Sequence, residues 1–76
     1  ENDRSGAQAA ARRLRMARRA AGYTKGQMAS LLGLPRRQYR AHEAGAPMSD
    51  DMLLMVSAIT GCPPGYFRTG RGWCIN

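Results

Sequence analysis

The sequence predicts an all-α protein, a compact bundle of about five short helices. Apolar residues recur at helical spacing in several segments, Gly and Pro separate those segments, and Thr24 and Ser49 stand where helix N-caps are expected. We see no strands, internal repeats or linkers. We divide the chain into a disordered arm or tag remnant at 1–6, a helical domain at 7–68 and a C-terminal tail at 69–76.

The first helix is predicted from about Ala7 or Gln8 to Ala21, where Gly22 ends it. One apolar stripe at helical spacing should face inward and should consist of Ala10, Leu14, Ala17 and Ala21. The basic residues Arg12, Arg15 and Arg19 should then point away from the core, and Arg18 should lie at the border of the stripe.

The second helix is predicted at about Lys25–Leu32. The Thr24 hydroxyl can accept from the Gln27 amide while the Gln27 side chain reaches back, which is a capping box. Gly33 can supply the positive φ of a tight turn. The face expected to be buried consists of Met28, Leu31 and Leu32.

The third helix is predicted at about Arg36–Ala44, since Pro35 suits the first positions of a helix. At about 100° per residue, its inner side consists of Tyr39, His42 and Glu43. Its outer side consists of Arg36, Arg37, Arg40, Ala41 and Ala44. Two short helices joined by a tight turn, the second with arginines on one face, are typical of a helix-turn-helix that enters the DNA major groove.

The fourth helix should follow the Ser49 cap and end at Gly61, with Asp50 and Asp51 at its positive N-terminus. Its apolar face should consist of Met52, Leu53, Met55, Val56 and Ile59. Pro64–Phe67 should form a short fifth helix that closes the core.

The charge is one-sided. The net charge is +7, and the segment from Arg4 to His42 holds ten Arg or Lys residues and no acid. Such a concentrated positive field attracts polyanions. Eleven of the twelve basic residues are Arg in a chain rich in Ala and Gly, so composition alone does not distinguish nucleic-acid binding from a solvated basic surface.

No catalytic or metal-binding constellation is present in the sequence, so we expect no enzyme activity, no cofactor and no small-molecule substrate. Asp50 and Asp51 are better explained by helix-cap electrostatics than by a metal. The single His42 should be packed and hydrogen-bonded. Cys62 is expected to be a small reduced core residue, and a bridge to Cys74 is the less favoured alternative. No apolar run reaches the ~18 residues of a membrane span.

Four stretches in a characteristic order complete the pattern: RLRMARRAAGYT at 13–24, QMASLLGL at 27–34, HEAG at 42–45 and MLLMVSAITGCP at 52–63. From about Arg13 to Phe67 the chain resembles the lambda-repressor-like helix-turn-helix family, of the Cro/repressor or xenobiotic-response-element type. The order and spacing of these stretches together are quite specific.

The resemblance implies a role for each matching residue. Base edges should be contacted by Arg36, Arg37, Arg40 and Ala41, with phosphate contact alone as the alternative for the arginines. Phosphates should be contacted by Lys25, Thr24 and Gln38. Arg18 and Glu43 should form a structural ion pair between the first helix and the end of the third.

The expected function is sequence-specific binding of double-stranded DNA by a small bacterial or phage transcriptional repressor in the cytoplasm. The alternatives are an antitoxin-like protein-interaction module and a DNA-recognition domain of a larger regulator. The family usually binds DNA as a homodimer. The segment Trp73–Ile75 and the end of the fourth helix are candidate dimer surfaces, unless Trp73 folds back onto its own core.

Overall fold

The computed structural model describes the backbone of residues 2–69 and the side chains of residues 8–67. This part of the chain forms five helices and no strand, which confirms the predicted all-α class. The helices are α1 (Asn2–Ala21), α2 (Lys25–Leu32), α3 (Arg36–Glu43), α4 (Asp50–Thr60) and α5 (Pro64–Thr69).

α1 begins at Asn2, so the predicted start at Ala7 or Gln8 is wrong, and residues 2–6 are helical instead of a loose arm. Nothing in this segment forbids a helix. Gly6 disfavours a helix by only about 1 kcal/mol relative to Ala.

The predicted caps of α2 are confirmed. Thr24 Oγ1 accepts from the Gln27 amide at 3.1 Å, and Gln27 Oε1 accepts from the Thr24 amide at 2.8 Å. At the other end Gly33 has φ +71°, and the Leu34 amide donates to the carbonyl of Ala29 at 2.9 Å. This left-handed closure sets the three-residue turn, residues 33–35, that leads into α3.

α4 also has the predicted ends. Ser49 Oγ accepts from the Met52 amide at 3.2 Å, and Gly61 closes the helix with φ +80°. α3 ends at Glu43, one residue before the predicted end, and Ala44 is its cap.

The core lies between the helices, and its largest fully buried side chains include Tyr39, Phe67, Leu14, Met28 and Val56. α1 contacts α3, α4 and α5, while α2 contacts α3 and α4. The loop after α3 is held by His42, whose Nδ1 lies 3.3 Å from the carbonyl oxygen of Ala46. An Nδ1–H tautomer donates there, as expected for a packed histidine.

Three predicted apolar stripes are confirmed in part, and some of their members lie at the edge of the buried face. On α1 the buried residues are Ala11, Leu14, Ala17 and Arg18, whereas Ala10 and Ala21 are only half-buried. On α2 and α4 the side chains of Leu31 and Met55 are 48% and 45% exposed. In both helices the buried residues occupy positions i, i+1 and i+4, counted from Met28 in α2 and from Met52 in α4. Leu31 and Met55 stand at position i+3 and therefore lie at the edge of the buried stripe.

Cys62 is buried and disulfide-bonded, so the expectation of a reduced thiol is wrong. The chain has one other cysteine, Cys74, which lies outside the described residues. A disulfide needs the two Cα atoms within about 4–7 Å. That proximity depends on the fold and is not readable from the sequence.

None of the helices in the described region is long and apolar enough to cross a membrane.

Candidate nucleic-acid interface

A buried ion pair ties α1 to α3. Arg18 Nε donates to Glu43 Oε2 at 2.7 Å, with side chains 8% and 3% exposed. The Tyr39 hydroxyl donates to the same oxygen at 2.5 Å. Arg18 Nη1 also donates to the Tyr23 carbonyl at 2.9 Å, just after the end of α1. The predicted Arg18–Glu43 pair is therefore present, and both partners are buried.

The Tyr39 hydroxyl is held neutral by this arrangement. Burial raises the pKa of Tyr39, and the hydrogen bond to the Glu43 carboxylate raises it further, because an ionised phenol would lie beside a second negative charge. Within residues 8–67 the other carboxylate oxygen, Glu43 Oε1, is buried without a hydrogen-bond partner. A buried carboxylate with one free oxygen depends strongly on the Arg18 charge.

Arg15 is a second link between α1 and α3 that the sequence analysis missed. It was expected to point away, yet its Nη1 donates to the Glu43 backbone carbonyl at 2.6 Å. A cation at the C-terminus of α3 stabilises the negative end of the helix dipole. The available signal was its spacing, because Arg15 and Arg18 are three apart and share a helix face.

The outer side of α3 has the predicted composition. Tyr39 and Glu43 are buried and His42 is half-buried, while the outer residues are all exposed: Arg36, Arg37, Arg40, Ala41 and Ala44. Because the inner side is held by α1, the arginine side is directed away from the bundle.

Two basic grooves border this outer side and meet at Lys25 and Arg40. The α1–α3 groove is lined by Arg15, Lys25, Arg37, Arg40, Ala41, Glu43 and Ala44. The α2–α3 groove is lined by Thr24, Lys25, Gly26, Arg36 and Arg40. Five cations thus surround one face, and the one acid among the lining residues is Glu43, which is paired with Arg18.

Most of the predicted contact residues therefore come together, but Gln38 does not. Gln38 is exposed on α3 and lines a separate groove with mainly apolar neighbours, among them Leu34, Met52 and Met55. It lies apart from Thr24 and Lys25, the other residues expected to contact phosphate. A separate candidate surface, Trp73–Ile75, falls outside the described residues.

No family model matches the chain, and neither does any curated protein or solved structure. Clustered guanidinium groups on a convex helix can form bidentate hydrogen bonds with phosphates or with the guanine edge.

Proposed function

We propose that this protein binds double-stranded DNA sequence-specifically as a small transcriptional regulator of the lambda-repressor-like kind. In this proposal α2 and α3 act as a helix-turn-helix, and α3 enters the major groove. The observation that supports it best is the exposed arginine side of α3, which is bordered by two basic grooves. The buried Arg18–Glu43 pair fixes the opposite side of this helix to α1.

The contacts divide by position on this face. Arg37, Arg40 and Ala41 lie along the outer side of α3, where an inserted helix reaches base edges. Arginine pairs with guanine, and the Ala41 methyl group offers apolar contact to a thymine methyl. Lys25 and Thr24 lie at the start of α2, beside α3, where they would contact the DNA backbone.

Arg15 adds a cation that the sequence analysis did not include. Its guanidinium lines the α1–α3 groove while it donates to the end of α3. We therefore assign Arg15 a phosphate contact in the α1–α3 groove, which Lys25 also lines.

Selection of bound sequences from random duplex DNA tests the proposal. We expect enrichment of a short motif, and tighter binding to the enriched duplex than to a scrambled duplex of the same length. An inverted repeat with half-sites about 10 bp apart would support a homodimer. Failure to bind any duplex at low salt would contradict the proposal and favour the protein-interaction alternative.

A further inference from the structure

The guanidinium of Arg36 lies against the first turn of α2. A Cβ atom placed on Gly26 would be 2.9 Å from Arg36 Nη2 and 3.4 Å from Arg36 Cζ. The side chain of the first residue of α3 therefore turns back toward α2. It occupies space that any other residue at position 26 would fill.

The backbone offers no other reason for a glycine at this position. The glycines with positive φ in the described chain are Gly22, Gly33, Gly45 and Gly61, and each lies at the end of a helix. Gly26 lies inside α2, where glycine is disfavoured relative to alanine. The absence of a side chain at position 26 leaves the space that the end of the exposed Arg36 side chain occupies.

In this position Arg36 joins two other cations. The α2–α3 groove has Lys25, Arg36 and Arg40 among its lining residues and contains no acid. Three like charges along one groove repel each other, and an anion between them relieves that repulsion. Arg36 Nη2 is also displaced toward α2, away from the outer side of α3 that bears Arg37 and Ala41.

We propose that Gly26 is a positioning residue for Arg36, which contacts a DNA phosphate together with Lys25 and does not read a base. This inference rests on the proposed function and refines it. Base contacts then come from Arg37, Arg40 and Ala41. Gly26 acts through Arg36 alone and touches no DNA itself.

A double-mutant cycle separates these roles. The variants are Gly26→Ala, Arg36→Ala and the double variant, with Gly65→Ala as the matched control. Gly65 is also a helical glycine, but a Cβ placed there would meet nothing within 4 Å. Each variant is measured for melting temperature, for affinity to the selected duplex and for the salt dependence of that affinity.

We expect Gly26→Ala to melt at or above the parent temperature, because alanine favours a helix. It should nevertheless bind DNA roughly tenfold more weakly, in line with one lost hydrogen bond between charged groups. The slope of log affinity against log salt should fall by about 0.9, which is one phosphate. In the Arg36→Ala background the added methyl group should change neither affinity nor slope.

Two results would overturn the inference. If Gly26→Ala weakens binding equally with and without Arg36, the glycine serves close approach of the DNA itself. If Arg36→Ala changes the preferred base at one position and leaves the salt slope intact, Arg36 reads a base.

A measurement on the free protein keeps this inference separate from the proposed function. Nuclear Overhauser effects between the Gly26 Hα protons and the Arg36 Hδ protons should be present without DNA. Their absence would contradict the positioning by Gly26. Failure of the unaltered protein to bind any duplex would contradict the proposed function, and with it the phosphate contact.

Discussion

At the residue scale, the face proposed to contact DNA is attached to α1 through one buried carboxylate. Glu43 Oε2 accepts from both Arg18 Nε and the Tyr39 hydroxyl, and its backbone carbonyl accepts from Arg15. These contacts connect the end of α3 to α1. A surface ion pair is worth under about 1 kcal/mol, whereas breaking a buried pair leaves an uncompensated charge.

Glu43→Gln should therefore destabilise the protein clearly. Removing one partner of a buried pair costs about 3–5 kcal/mol, which for a domain of this size lowers the melting temperature by more than about 10 °C. DNA affinity should fall as well, although Glu43 is not expected to touch DNA. Thermal unfolding, monitored by circular dichroism, measures the change in melting temperature.

Tyr39→Phe is the control, because it removes one hydrogen bond to the same oxygen and keeps the ion pair. It should cost only about 1 kcal/mol. A Glu43→Gln protein that melts like the parent would show that the buried Arg18–Glu43 pair does not stabilise the packing of α3 on α1. If that protein also bound DNA more tightly, Glu43 would be mainly a repulsive charge near the phosphates.

The raised pKa of Tyr39 predicts a loss of stability in alkali. The folded state keeps the phenol protonated, whereas the unfolded chain releases its proton near the ordinary tyrosine value of about 10. The contribution of Tyr39 to the stability of the folded state is therefore fully present below about pH 10, and it is lost as the pH rises above that value. The free energy of unfolding, measured in urea at pH 8 and at pH 11, should decrease less between these pH values for Tyr39→Phe than for the parent. Equal decreases in the two proteins would contradict the assignment.

At the element scale, α3 has two distinct sides. The α1 contacts hold its inner side, and its outer side presents exposed arginines. Its N-terminus is set by the left-handed turn at Gly33, and no side chain caps it. The first turn of α3 therefore depends on α2 for its orientation.

Arg37→Ala should remove one base contact. We expect a loss of about 1–3 kcal/mol on the selected duplex and relaxed preference at one base pair. Arg19→Ala removes the same charge from an exposed site on α1 that lines neither basic groove, so it reports the general electrostatic loss. Competition binding against single-base variants of the duplex measures the loss of affinity and the change in base preference for each protein variant. If Arg37→Ala weakens every sequence equally, Arg37 contacts only phosphate.

At the scale of the whole molecule, the charge is organised by the fold. The net charge is +7, and five cations from three helices line the two basic grooves. The acids Asp50 and Asp51 lie at the start of α4, outside these grooves. A polyanion is therefore attracted to one side of the protein.

Affinity for DNA should then fall linearly as log salt rises, by about 0.9 per phosphate neutralised. About six phosphate contacts would weaken binding roughly a thousandfold or more between 50 and 200 mM salt. Fluorescence anisotropy with a labelled duplex gives the slope. A flat dependence would exclude a phosphate-based interface and would favour a protein partner.

Local sequence signals predicted several caps and turns correctly, although they missed the start of α1. The capping box at Thr24, the turn at Gly33 and the Ser49 cap were predicted, because each is made within a few residues of the chain. The arginine side of α3 also followed from helical periodicity alone.

Where distant elements meet, the Arg18–Glu43 pair was expected from the resemblance, but other contacts were not predicted. The sequence did not show that Ala11, rather than Ala10, would be buried on α1, because either choice gives an acceptable stripe and only packing against other helices selects one. It also did not show the contact of Arg15 with α3, or the disulfide of Cys62.

The sequence by itself determined the number of helices in the described region, the caps of α2 and α4, the excess of positive charge and the arginine side of α3, because these depend on short-range geometry and composition. Only the tertiary structure decided how these parts combine. Packing of α1 onto α3 buried Glu43 with Arg18, and packing of α3 beside α2 brought Arg36 onto Gly26. Contacts between helices far apart in the chain depend on interhelical packing, which no local pattern records.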